Sequence, residues 1–93
     1  MKATMPQLLN HIDALYALHE KHECVWADFF AACKDRINKD VAFGCDFLMA
    51  AYGGMFAYEE FGVLANDNDE AQRLKLAEET YQIAKELKTN DQN

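Results

Sequence analysis

The stretch DVAFGCDFLMAAYGG, residues 40–54, decides the fold. Asp40 is a typical helix N-cap residue, because its carboxylate can accept a hydrogen bond from a free backbone N–H of the first turn. The Gly53-Gly54 pair supplies residues that tolerate the left-handed conformation at a helix end. Between these two signals the apolar residues recur at helical spacing; they are Val41, Cys45, Leu48 and Tyr52, with Phe47 and Ala51 beside them. The pattern predicts a helix over residues 41–52.

Two further helices are predicted before this stretch. Thr4-Met5-Pro6-Gln7 has the form of a capping box with proline in the first turn, and the apolar period after it predicts a helix over about residues 6–22. Trp26, Cys33 and Ile37 continue such a period, which predicts a second helix over about residues 24–38. The residue at which these two helices separate cannot be read from the sequence.

After the glycine pair, the sequence predicts one short helix and one long helix. Residues 55–61 have helical composition and end at Gly62, so we expect one or two turns there. The run Asn66-Asp67-Asn68-Asp69 has turn and cap chemistry, and a helical period follows it to about Leu87. No stretch alternates with the period of a strand. The predicted fold class is all-α, a compact bundle of four main helices plus one short helix after a Gly-Gly corner.

Size and composition indicate one domain over residues 1–93, with residues 88–93 as a frayed tail. The chain is 51% hydrophobic and 12% aromatic, which is too apolar for a disordered protein. Three cysteines at irregular spacing, Cys24, Cys33 and Cys45, favour a reducing cytoplasm over a disulfide framework. No apolar run approaches the roughly 20 residues of a membrane span.

Charge is the main functional signal. The net charge is -7, and residues 40–72 contain seven carboxylates and no lysine or arginine. Negative charge is repelled by nucleic-acid phosphate and by anionic lipid, which argues against direct binding to nucleic acid or membrane but is compatible with mimicry of DNA. The same segment holds the aromatic-rich run 52–61. Together these features predict a surface that docks onto a basic partner.

Trp26, lying about 28 residues before the Gly-Gly-Met of residues 53–55, carries a family resemblance. With the acidic turn and tyrosine-bearing helix that follow, it resembles an uncharacterised family of small bacterial helical domains, in which a tryptophan precedes Gly-Gly-Met-Gly-Ser-Leu-Asn-Asp-Leu. Here Phe56 replaces a glycine and Glu59-Glu60 replace Asn-Asp, so the second half of the motif differs from the pattern of that family. The resemblance implies a helical fold and, because members look like proteins encoded beside toxins, an immunity role; it implies no chemistry.

We therefore expect a cytoplasmic, non-enzymatic inhibitor without a cofactor, whose partner is a basic protein. It would be either an immunity protein neutralising a toxin or a phage-type inhibitor that mimics phosphate charge against a host defence enzyme. In both forms it would act by occluding an active site or a nucleic-acid groove. The predicted partner-binding residues are the possible apolar anchors Met55 and Phe56, together with Tyr58, Glu59, Glu60, Asp67 and Asp69.

Two alternatives from other classes stay open. One is a structural homodimer in which the rings of residues 52–61 pair across a two-fold axis. The other is a small metal-dependent enzyme that uses His19, His22 and carboxylates. These histidines belong to a metal-like cluster with Cys24, Glu20 and Glu23, although His-Glu-Lys-His is not the spacing of a zinc motif. A calcium loop starting at Asp67 fails, because Gln72 stands where such a loop needs glycine. We predict no catalytic and no metal-binding residue.

Overall fold

The first helix begins as its capping box predicts. The computed structural model describes residues 3–53 and 57–91, except for the side chains of Glu59, Phe61, Asn90 and Asp91. Helix α1 spans Met5–Lys21, and the Thr4 hydroxyl accepts a hydrogen bond from the Gln7 backbone N–H. The Gln7 side chain in turn accepts from the Thr4 N–H, so two free donors of the first turn are satisfied.

Helix α1 separates from α2 at a turn that the sequence left unplaced. Glu23 has a φ of 54°, in the left-handed region, and the Cys24 N–H donates to the His19 carbonyl at 2.9 Å. This closes α1 and allows α2, Trp26–Lys39, to run back beside it. Asp40 alone connects α2 to α3, Val41–Ala50, and its carboxylate accepts from the Phe43 N–H at 3.0 Å.

Gly44 allows α2 and α3 to approach closely. A Cβ atom at this position would lie 2.6 Å from the Cα of Ile37, closer than real Cβ atoms come to their neighbours. Glycine is therefore required at this helix crossing.

Two helices complete the described chain. Helix α4 is one turn, Tyr58–Phe61, and ends at Gly62; α5 spans Asp67–Asp91. Helix α5 thus includes residues 88–91, which the sequence assigned to a frayed tail. The prediction that a short helix directly follows a Gly-Gly corner involves residues 54–56, which lie outside the described ranges.

The four long helices form an up-and-down bundle, which confirms the predicted all-α class. Contacts join α1 to α2, α2 to α3, α3 to α5 and α5 to α1. The radius of gyration is 12.6 Å, close to the roughly 12 Å expected for a compact domain of this length. Between the helices lies a core formed by Leu8, Ile12, Leu15, Phe30, Cys33, Ile37, Cys45, Leu48, Tyr58, Ala77 and Ala84. None of the described helices is both long and apolar enough to cross a bilayer.

Candidate partner-binding surface

The up-and-down topology brings four chain segments to one end of the bundle. These segments are the end of α1, the start of α2, helix α4 and the start of α5. His22 Nε2, at the end of α1, donates to Asp69 Oδ2 at 2.8 Å, which joins α1 to the start of α5. The rings of Trp26 and Tyr58, with centroids 4.9 Å apart, join the start of α2 to α4.

A buried polar cluster fastens α4 to this end of the bundle. Tyr58, His19 and Arg73 each have no exposed surface. The Tyr58 hydroxyl lies 2.7 Å from His19 Nε2, and the Arg73 guanidinium carbon lies 5.0 Å from the centroid of the Tyr58 ring. Burial, opposed by a hydrogen bond from Arg73, raises the pKa of Tyr58 to about 12, so the phenol stays protonated.

Glu70 extends the cluster to the surface. Arg73 Nε and Nη2 donate to the two Glu70 carboxylate oxygens, each at 2.7 Å, in the bidentate geometry that gives strong charge-assisted bonds. The Leu64 N–H donates to the same carboxylate at 2.8 Å, which anchors the segment after α4. These bonds, led by those from Arg73, lower the pKa of Glu70 below its usual value. The cluster contains catalytic residue types, but three of its side chains are closed to solvent, so its evident role is to position α4.

Asp69 is neutralised in the same region. Lys21 Nζ lies 2.9 Å from Asp69 Oδ2, and His22 Nε2 donates to the same oxygen. The bonds from His22 and Lys21 lower the pKa of the Asp69 carboxyl group. Its side chain is only 14% exposed, so Asp69 holds α1 to α5 and offers a partner little surface.

Five exposed carboxylates surround these paired groups. We call them the acidic end, and they are Glu20, Glu23, Asp28, Glu60 and Asp67. Among the described residues none of the five has an ion-pair partner within 4.0 Å, whereas the two cations of this region, Lys21 and Arg73, are bound by Asp69 and Glu70.

Glu20 and Asp28 both act on a neighbouring tyrosine. The pKa of Tyr16 is raised by its hydrogen bond to Glu20, by the charge of Glu20 and, to a smaller extent, by the charge of Asp28. Cations lie toward the other end, where Arg36 and Lys39 close α2. The bundle is therefore electrically asymmetric along its axis.

The acidic end contains two exposed aliphatic residues. Val25, in the turn before α2, is 80% exposed, and Val63, just after α4, is 58% exposed. Val25 directly precedes Trp26 in the chain, and Val63 follows Tyr58 by five residues. Protein interfaces combine an apolar centre with a polar rim, and two exposed aliphatic residues near exposed carboxylates are compatible with that arrangement.

The carboxylates of residues 40–72 do not form the single acidic surface that the sequence predicted. Asp40 caps α3, and Asp46 forms an ion pair with Lys88; both lie at the opposite end of the bundle. Asp69 and Glu70 are paired, so that within residues 40–72 the acidic end keeps Glu60 and Asp67 as described carboxylates that are exposed and without an ion pair. The unopposed charge over residues 40–72 is therefore a property of the sequence and not of the folded surface.

Of the four predicted partner-binding residues whose side chains the structure describes, two are exposed. Glu60 and Asp67 are exposed, whereas Tyr58 is a core residue, which corrects its assignment to a docking surface. Asp69 is largely buried by its pairing. Outside the described part of the structure lie Met55, Phe56 and the side chain of Glu59.

Sequence reasoning missed Glu20, Glu23 and Asp28, although their signal was available. The predicted boundary between the first two helices lay at residues 22–24. In an up-and-down bundle, that boundary falls at the same end as the turn before the last helix. With an up-and-down topology assumed for the predicted bundle, the charges at the helix ends place these three residues at the same end as Asp67.

The residues proposed for the metal alternative are engaged in other contacts. His19 Nε2 is bonded to Tyr58 and His22 Nε2 to Asp69. Across residues 3–53 and 57–91, no group of three or more histidine, cysteine, aspartate or glutamate side chains is placed to hold a metal ion. Burial raises the pKa of the Cys33 thiol to about 12, which suppresses the nucleophilic thiolate.

The rings proposed for the homodimer are packed within the chain. Tyr52 contacts the rings of Tyr58 and Tyr81 at centroid distances of 5.7 and 5.0 Å, and its hydroxyl donates to the Ala77 carbonyl. Two of the rings assigned to that interface are thus used inside the bundle.

The chain matches no known protein family, no curated protein and no solved structure. The resemblance to small bacterial helical domains therefore stays a prediction from sequence motifs, and functional reasoning rests on the geometry of the acidic end.

Proposed function

We propose that this chain is a small non-enzymatic inhibitor that docks its acidic end onto a basic protein surface and acts by occlusion. The observation that carries the proposal is the collection of five exposed carboxylates at one end of the bundle, with no ion-pair partner among the described residues. The partner is either a toxin, in which case the chain is an immunity protein, or a nucleic-acid enzyme of host defence, in which case it is a phage-type inhibitor.

Electrostatic steering gives this arrangement its advantage. Charges of one sign on one face orient an oppositely charged partner before contact and raise association rates by about 10 to 1,000-fold at low salt. Such an effect is screened over a Debye length of about 8 Å at physiological ionic strength. The acidic end therefore sets encounter and partner choice, while apolar contacts such as those of Val25 and Val63 slow dissociation.

The first experiment maps where a basic ligand binds. The ¹⁵N-labelled protein is titrated with an oligo-arginine peptide at low salt, and amide shifts are followed by NMR. We expect shifts to concentrate at residues 20–28 and 60–67 and to fade as salt is raised. A uniform distribution of shifts, or a maximum around the end of α2, would contradict the proposal.

A matched pair of charge reversals separates location from net charge. Glu23→Lys combined with Glu60→Lys reverses two carboxylates of the acidic end. Asp13→Lys combined with Asp35→Lys changes the net charge equally elsewhere, and loses only the exposed Asp13–Lys34 and Asp35–Lys39 pairs, each worth at most about 1 kcal/mol. The first variant should lose at least tenfold in affinity for the peptide, and the second much less. Equal losses would mean that binding follows net charge alone.

The two biological forms differ in what the inhibitor protects. An immunity protein rescues growth of cells that express a toxin encoded beside it, whereas a phage-type inhibitor restores infection in cells that carry the defence enzyme. We expect the wild-type chain to rescue in one of these two assays. Loss of that rescue with the Glu23 and Glu60 reversals, and its retention with those at Asp13 and Asp35, would identify the form in which the acidic end acts.

A further inference from the structure

A groove opens between α3 and α5 next to the acidic end. It has a volume of about 550 Å³, within the usual range for ligand pockets. Apolar and polar atoms from both helices form its walls in about equal measure, and a carboxylate is among the polar groups. The side chains on which the inference depends are Met49, Tyr52, Leu74, Ala77, Glu78 and Tyr81.

The groove walls are held in place by internal contacts. The Tyr52 hydroxyl donates to the Ala77 carbonyl at 2.7 Å, and the Tyr52 and Tyr81 rings pack 5.0 Å apart. Leu74 is 47% exposed, so a large apolar side chain faces solvent at a site whose walls are already ordered. A ligand entering here would bury Leu74 without first ordering Tyr52.

Helix periodicity makes the groove continuous with the acidic end. Asp67, Leu74 and Glu78 are seven and four residues apart along α5, a spacing that places them on one face of the helix. Asp67 belongs to the acidic end, and Glu78 lines the groove, where no ion pair engages it among the described residues. A groove that exposes Leu74, with a carboxylate in its lining and another on the same helix face, suits an apolar group flanked by cations.

We propose that this groove receives an apolar side chain of the basic segment that the acidic end recruits. The inference rests on the proposed function and adds the chemistry of the partner: an aliphatic or aromatic residue with arginine or lysine on both sides. Charge complementarity favours this occupant. A second copy of the chain would bring its own carboxylates against Asp67 and Glu78, and an uncharged ligand would gain nothing from them.

Two peptides test the groove separately from the acidic end. One contains a single leucine between two pairs of arginines, and the other replaces that leucine with serine. Binding of each to the full chain is measured by calorimetry at low salt. We expect the leucine peptide to bind about tenfold more tightly, as the burial of an aliphatic side chain predicts. Leu74→Ser should abolish this difference and leave the affinity of the serine peptide unchanged.

Phe43→Ser is the matched control. Phe43 is 55% exposed at the opposite end of the bundle, so its replacement removes a similarly exposed apolar side chain from another place. The tenfold preference should survive in this variant. Circular dichroism of both variants verifies that the helices are intact.

Three other outcomes would overturn the inference, and they differ in which proposal fails. If both peptides bind wild type equally and the Glu23 and Glu60 reversals weaken both, the acidic end stands and the groove proposal fails. If neither peptide binds, the proposed function fails with it. If the wild-type chain self-associates in sedimentation and Leu74→Ser makes it monomeric, the groove belongs to a second copy.

Discussion

The buried imidazole of His19 predicts a specific loss of stability in mild acid. The ring has no exposed surface and stacks on Phe30 at a centroid distance of 5.6 Å. Burial and, secondarily, the charge of Arg73 lower the pKa of His19 from 6.5 to about 4, although the Glu70 carboxylate opposes them. The imidazole is therefore neutral at pH 7, in the folded and the unfolded chain alike.

Because the pKa of His19 is lower in the folded state, the folded chain binds fewer protons than the unfolded chain in mild acid. The contribution of His19 to stability is thus complete above pH 6.5 and is lost as the pH falls toward 4. The difference between 6.5 and about 4 corresponds to about 3 kcal/mol in total, of which about 2 kcal/mol is lost by pH 5. Because the free energy of unfolding of a domain is typically about 5–15 kcal/mol, a loss of this size is measurable.

Urea unfolding at several pH values between 7.5 and 5 measures this loss. Trp26 is the only tryptophan, and its contact with Tyr58 makes its fluorescence a probe of the cluster. Glu70 and Asp69 have lowered pKa values, so both stay ionised across this range and do not contribute to the slope. We expect the free energy of unfolding to fall by about 2 kcal/mol, mostly below pH 6.5.

Two variants test whether His19 causes the pH dependence of the free energy of unfolding. His19→Gln should be less stable at pH 7.5 but nearly insensitive to pH down to 5, because the buried titratable group is gone. His11→Gln removes a partly exposed histidine that bonds to Glu79, and should keep the wild-type slope. The reasoning is refuted if His19→Gln and wild type lose stability in parallel, or if NMR titration of the His19 ring gives a pKa near 6.5.

Three further predictions concern stability and are measured by urea unfolding. Tyr58→Phe should lower the free energy of unfolding by about 1–3 kcal/mol, because His19 Nε2 loses its buried partner; an unchanged midpoint would argue against the hydrogen bond. Gly44→Ala should cost about 1–3 kcal/mol, because its Cβ would displace the Ile37 backbone, and a neutral effect would mean that α2 and α3 are farther apart. Thr4→Ala should cost about 1 kcal/mol through the lost cap, with no change in the pH slope.

Local signals predicted the helices well because caps and apolar periods act within a few residues of chain. The capping box at Thr4, the cap at Asp40 and the stop at Gly62 all lie at helix ends in the structure. The exact point at which α1 separates from α2 was left open, because the left-handed residue there is Glu23 and not a glycine. The length of α5 was underestimated, since the polar composition of residues 88–91 does not prevent helix formation.

The candidate site was less predictable, because charge pairing and ring burial depend on distant parts of the chain. Nothing near Asp69 in sequence indicates Lys21, and nothing near Tyr58 indicates that His19 and Arg73 would enclose its hydroxyl. Those contacts form only when α1, α4 and α5 meet at one end of the bundle.

The sequence by itself determined the helical class, the helix caps and an excess of negative charge, because each follows from residue type and local spacing. Tertiary structure alone decided which carboxylates remain unpaired and which rings are buried. Packing brings cations from one segment to anions of another, and it removes apolar and hydrogen-bonded side chains from water wherever the helices converge. The acidic end is therefore a product of topology, assembled from residues that lie up to 47 positions apart in the chain.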